Sequence, residues 1–279
     1  MDRNRTSSPY TTGGGGFDFE RGVTACYLVA LLRSTAARGQ DRGMVKEVRL
    51  QRAFEGEPLD DLVIISDTVM GEAKLSLQVK HDLTFGSKDA TFKRVISDSW
   101  DTFRREEFVQ FRDRFGVVIG TYSRNVDKYY REVPNWARKS AKASDFLRRI
   151  ETARLAHKQH RFFLSLIRKT LDSAAERSVS DTELWQFISS FVILHFDVHE
   201  KESRDRSHAV ALLADSLPKN ASDAAQQMFT QLLDISGALG RTAGSIDLTT
   251  LVHQVQRERP TGERSNSSNT VSPKTTPTP

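Results

Sequence analysis

Between Leu59 and Lys80 the chain reads LDDLVIISDTVMGEAKLSLQVK, an apolar run followed by an alternating one. Leu62, Val63, Ile64 and Ile65 form a largely β-branched stretch of the kind that fills a buried strand beginning at Asp60 or Asp61. Ser66, Asp67, Thr68 and Gly71 carry turn chemistry. From Ala73 to Lys80, Leu75, Leu77 and Val79 alternate with Ser76, Gln78 and Lys80, the period of a strand with two unlike faces. Together the two runs predict a β-hairpin. With its turn centred near Val69, Asp61 stands opposite Gln78, and such paired side chains lie about 5 Å apart. A slip of one residue would bring Asp60 to that face, so either aspartate is open, with Asp61 preferred on facing grounds.

The same reading extends along the chain. Phe19, Val23, Cys26, Tyr27, Ala30 and Leu31 predict a helix over 17–33, with Glu20 in its first turn, where the helix dipole favours an acid. Gly13 to Gly16 precede it, either as a flexible hinge or as a phosphate cradle. No G-K-[S/T] follows them, which excludes a Walker P-loop. Residues 44–51 predict a strand, 89–107 a helix and 115–120 a short buried strand. The order is αβββαβ, an α/β core over residues 13–122. Residues 123–257 predict a mostly helical region, with a long helix over 144–172 and a capping box, Ser180 to Glu183, opening the next. A strand over 191–198 follows, then helices over 204–216, 221–238 and 248–257, with Gly240 suited to a C′ position. Residues 1–12 and 258–279 are polar and read as a disordered start and a disordered tail or linker.

Composition narrows the function. The net charge of +5 permits a nucleic-acid partner without demanding one. The single cysteine, Cys26, excludes an intrachain disulfide and a Cys-based zinc site, and its apolar setting suits a small core residue. No apolar run reaches 18 residues and no apolar segment opens the chain. No membrane partner and a cytoplasmic location are therefore expected. In residues 123–142, Arg124, Lys128, Arg131 and Arg138 interleave with Tyr129, Tyr130 and Trp136. That mixture serves a nucleic-acid backbone or a solvated connecting helix. His157 and His160 lack acidic partners at metal spacing and read as surface or helix-packing residues.

Asp61, Gln78 and Lys80 form D-x(16)-Q-x-K. The pattern resembles the PD-(D/E)xK restriction-endonuclease-like superfamily, in the variant where Gln replaces the second acid. GGGGFDFERGVTACYLVALL, LDDLVIISD, LSLQVKHDLT, FKRVISDSWDTF and DRFGVVIG are similar, in order and spacing, to the nuclease domain of bacterial anti-phage effectors. That domain accompanies cyclic-oligonucleotide signalling and large NTPases of defence loci. The resemblance implies a restriction-endonuclease-like fold and Mg²⁺- or Mn²⁺-dependent cleavage of double-stranded DNA. It implies that Asp61 and Gln78 help hold the metal, that Glu20 joins them from the first helix, and that Lys80 orients or deprotonates the attacking water. The residue types suit a hard cation that keeps several waters. The sequence carries no nucleotide-binding motif, so control of such an enzyme is expected from homo-oligomerisation or a partner defence protein, such as an NTPase or a sensor. Gln78 in place of an acid keeps one rival open, a catalytically degenerate module that binds nucleic acid or a partner protein; a nuclease acting on RNA is a second rival.

Overall fold

The apolar run and the alternating run pair as an antiparallel hairpin, β2 (Leu62–Thr68) and β3 (Gly71–Lys80), in register Leu62 to Leu77. The computed structural model describes residues 14–51, 55–218 and 222–257. The expectations for residues 1–12 and 258–279 lie outside these. Before the hairpin come α1 (Gly14–Leu32) and β1 (Met44–Leu50); after it come α2 (Ala90–Phe103) and β4 (Arg114–Ile119). The order is αβββαβ, the α/β core that the sequence pattern predicts. A mostly helical region follows it.

Asp89 caps α2, its carboxylate accepting from Phe92 N at 2.7 Å. The crossover through α2 lets β4 run parallel to β3, since parallel neighbours need a long connection. The sheet also continues past residue 122. β5 (Phe191–His195) pairs parallel with β4, and the short β6 (Ser245–Asp247) pairs antiparallel with β1, giving the order β5-β4-β3-β2-β1-β6. Gly116 makes the β4–β5 approach possible: a Cβ there would lie 2.0 Å from the Val192 carbonyl oxygen.

Alternation along the strands feeds two cores, one on each face of the sheet. Leu62, Ile64, Leu75, Leu77 and Val79 pack with α1 and with α7 (Arg204–Ala214), α8 (Ser222–Thr242) and α9 (Leu248–Arg257). Phe115, Val117 and Ile119 pack with α2 and with helices from the stretch between β4 and β5. These are α3 (Glu132–Lys139), α4 (Ala143–Glu151), α5 (Lys158–Ala174) and α6 (Asp181–Ser190), with a π-helical turn over Val126–Tyr130 before them. Burying both faces under helices gives a three-layer sandwich.

Three local expectations change. The single helix over 144–172 is two helices. Thr152 and His157 are both extended, and His157 caps α5 through its ring, while His160 Nδ1 accepts from His157 N at 2.9 Å. The two histidines thus make a capping box. α1 starts at Gly14, so Gly14 to Gly16 belong to its first turn rather than to a flexible hinge, while Gly13 lies outside the described residues. α8 runs through Gly240 to Thr242, and Ala243, with φ 50°, takes the left-handed C′ position. Gly244 N then donates to Leu239 O at 2.9 Å, closing the helix end. The capping box of Ser180 and Glu183 stands as the sequence predicts.

Candidate functional site

The ladder ends at Leu62, and the side chain of the preceding residue continues it. Asp61 Oδ2 accepts from Val79 N at 2.8 Å, from the Gln78 amide, and from Lys80 Nζ at 3.1 Å. Asp61 and Gln78 are each 8% exposed, so this cluster is held by the fold. Gln78 and Lys80 lie on the face of Val117 and Ile119, opposite Leu77 and Val79. They open into a cleft of about 630 Å³ between the sheet end and the first turns of α2. Asp60, Thr91, Arg94 and Asp98 line it with them.

Glu20, on α1, lies near enough to this group for the charges of Asp61, Lys80 and Asp60 to act on it. Because α1 starts at Gly14, Glu20 is in the second turn, where the helix dipole has largely faded. Its position therefore lacks the local reason that the sequence offered. Gln51 Nε2 donates to Glu20 Oε1 at 2.9 Å, and Gln51 N meets the Asp61 carbonyl at 3.5 Å. Burial raises the Glu20 carboxyl above its ordinary value, and the negative charge of Asp61 adds to this. The Gln51 amide and the Lys80 ammonium act in the opposite direction. Burial and the Asp61 charge likewise raise Asp60, with Lys80 and Arg94 opposing. Asp98, raised by burial, pairs with Arg94 at 3.5 Å.

The structure thus brings Asp61, Gln78, Lys80 and Glu20 to one end of the sheet. Between the two aspartates, Asp61 takes the position across from Gln78 and Asp60 lines the cleft beside it. Sequence reasoning missed Gln51. Its backbone is left-handed, with φ 53°, and neither a glycine nor an asparagine marks the spot.

Other candidates serve the fold. His81 turns to the opposite face, its ring 5.3 Å from Phe19 and 4.3 Å from His199, with Nδ1 2.8 Å from Asp82. Thr121 and, less strongly, His81 hold the Asp82 carboxyl below its ordinary range by hydrogen bonding. Tyr129 stacks on His157, Tyr130 on Phe163, and Trp136 packs against His160 and Arg149. Arg138 donates to the carbonyls of Ser189 and Phe191, and burial pushes its guanidinium down to about 10. The aromatic residues of 123–142 are therefore engaged inside the fold. Burial pushes the Cys26 thiol up to about 12, which keeps it an inert neutral group.

Two carboxylates and a side-chain amide give hard oxygen donors of the kind Mg²⁺ accepts, with remaining positions left for water. Among the described residues no group of three or more His, Cys, Asp or Glu side chains is placed to hold a metal ion. Among the described residues no helix is long and apolar enough to cross a membrane.

No family model matches the chain, and no curated protein matches it. Among solved structures it is similar to the SAVED/CARF-domain containing receptor Cap4 of Acinetobacter baumannii. With that receptor bound to the cyclic trinucleotide 3′3′3′-cAAA, the likeness has a TM-score of 0.50 at 13% identity, over 87% of this chain and 44% of that one. The receptor with 2′3′3′-cAAA gives 0.47 at 14% identity, over 88% and 46%. A further structure of the receptor gives 0.48 at 13% identity, over 88% and 48%. The chain thus spans under half the length of these receptors, and at such identity the likeness concerns the fold.

Proposed function

We propose that this chain is a divalent-metal-dependent endonuclease acting on double-stranded DNA, the nuclease part of a bacterial anti-phage effector. One observation carries the reading: Asp61, Gln78 and Lys80 converge at one sheet end, the lysine ammonium 3.1 Å from the aspartate, beside an open cleft. Asp61, Glu20 and Gln78 would hold Mg²⁺ or Mn²⁺. When bound, the metal acidifies a water and stabilises charge on phosphorus. Lys80, one-third exposed at the cleft, orients that water and offsets the negative charge that builds in the transition state. Asp61 keeps Lys80 in place through their contact. Arg94, 83% exposed on the α2 wall of the cleft, offers a cation to the phosphate backbone. The nuclease-domain resemblance of the sequence supports the DNA substrate and the defence setting. Indiscriminate cleavage would harm the host, so the activity is held in check by self-association or by a partner protein.

A second reading has its own support. Gln78 presents an amide donor, not an acid, to Asp61, and a similar solved structure is a receptor with the cyclic trinucleotide 3′3′3′-cAAA. On that reading the chain is a binding module on a nuclease-like frame. Incubation of the pure protein with plasmid and with RNA, in Mg²⁺, Mn²⁺ or EDTA, separates the two. Metal-dependent plasmid cleavage lost in EDTA supports the nuclease. No cleavage in any condition, together with calorimetric binding of 3′3′3′-cAAA or DNA, supports the module. Cleavage of RNA alone replaces the substrate.

A further inference from the structure

Gln51 sits at the end of β1 with a φ of 53°, a region that side-chain-bearing residues seldom adopt. Such backbone persists only where its surroundings hold it, and it concentrates at functional sites. Here the surroundings are two members of the proposed metal site. The Gln51 amide meets Glu20 Oε1 at 2.9 Å, and its main-chain N–H faces the Asp61 carbonyl at 3.5 Å. Glu20 is half-buried on a different element, past the first turn of its helix, and near the like charges of Asp61 and Asp60. Left to itself, that carboxylate has reason to swing away from Asp61. The amide donor on β1 opposes this.

We propose that Gln51 is a positioning residue: its side-chain amide holds Glu20 toward Asp61, so that a helix carboxylate supplies the second acid that the chain lacks at position 78. The proposal rests on the reading of this site as a divalent-metal site. A mere structural tie between α1 and β1 would also use the bond, so the test must separate the two roles.

Gln51→Gly does so, because glycine accepts the left-handed backbone while removing the amide. Gln51→Asn is the second variant, since asparagine also tolerates that backbone and its side chain is one methylene too short for the same reach. Mn²⁺ binding is measured by electron paramagnetic resonance of the free ion, alongside Tm. The expected result is a Tm at or above that of the parent and Mn²⁺ affinity weakened about 10–100-fold, the usual effect of removing a residue that orients a metal ligand. In a Glu20→Gln background, Gln51→Gly should add nothing further, because the two act as one unit. Parent-like Mn²⁺ affinity in both variants overturns the proposal, whatever their Tm. So does an equal loss with and without Glu20. A parent that binds Mn²⁺ but cuts no nucleic acid sinks the nuclease reading alone; a parent that binds no Mn²⁺ sinks both.

Discussion

Asp61, just before β2, faces Gln78 of β3, and the glutamine amide donates to the same carboxylate oxygen that meets Val79 N and Lys80. Asp61 therefore has a structural duty besides any catalytic one. Asp61→Ala removes the acceptor of a buried main-chain N–H and should cost about 1–3 kcal/mol of stability. Asp61→Asn keeps an acceptor oxygen and should fold nearly as well, yet cut no DNA. Urea unfolding beside plasmid cleavage in Mg²⁺ measures both effects. A stable, active Asp61→Asn protein removes Asp61 from the metal site. Asp60→Ala should do less, and the reverse ranking would move the assignment to Asp60.

Lys80→Ala removes one cation of the cleft. Groups that orient or activate the attacking water contribute about 10²–10⁴-fold to rate. One lost phosphate contact changes the salt slope of binding by only about one unit. Cleavage should nearly vanish while DNA affinity, measured in Ca²⁺ at fixed salt, stays close to that of the parent. Lys80→Arg should not restore the rate, because the bulkier planar guanidinium does not reproduce the compact ammonium beside Asp61. Undiminished cleavage by Lys80→Ala would falsify the role given to this residue.

Gln78→Glu supplies the acid that the superfamily pattern has at this position. Without metal it loses a donor and sets two carboxylates together in a buried site, a loss on the order of 2 kcal/mol. A bound divalent cation should offset that loss. Tm in EDTA should fall below that of the parent and climb more steeply with added Mg²⁺. Equal Mg²⁺ response in the two proteins would mean that position 78 does not face the metal.

Away from the site, Arg177 and the Ser180 main chain hold the Glu183 carboxyl down to about 2. The folded value lies below the unfolded one of about 4.3, so the stabilisation is complete above the latter. It is lost as pH falls toward the folded value. Solvent screens this exposed pair, so its contribution should be small. The Tm difference between parent and Glu183→Gln should be constant above pH 5 and shrink between about pH 4.3 and 2. A constant difference through that window would show the ion pair to be idle.

Gly116→Ala would drive a methyl into the Val192 main chain across the β4–β5 pair. Neither atom set belongs to a flexible side chain, so relief requires the strands to part. The cost should exceed the usual 1–3 kcal/mol of overpacking. A urea midpoint near that of the parent would mean that β5 can shift away without cost.

The hairpin was legible because period and turn chemistry agree on one register. Leu75, Leu77 and Val79 point away from Gln78 and Lys80, and with Leu62 set against Leu77 the next residues to meet are Asp61 and Gln78. Glu20 was legible only through family resemblance, since its neighbours in sequence say nothing of β2. Gln51 was not legible at all, because no glycine or asparagine marks its left-handed backbone and its contacts to Glu20 and Asp61 are tertiary. The break between α4 and α5 was missed for a related reason. No glycine or proline marks residues 152–157, and a histidine pair caps the second helix where Ser or Asp would be expected. The three-residue β6 is too short to show any period.

Both outer strands of the sheet, β5 and β6, come from the second half of the chain. A fragment ending at residue 122 would leave β4 bare along Phe115–Ile119 and β1 bare along Glu47–Arg49, each offering unpaired N–H and C=O groups to any passing strand. The late strands are stoppers. They cover β4 and β1, so that each free rim of the sheet, on β5 or on the three-residue β6, lies two strands out from the hairpin that carries the proposed chemistry.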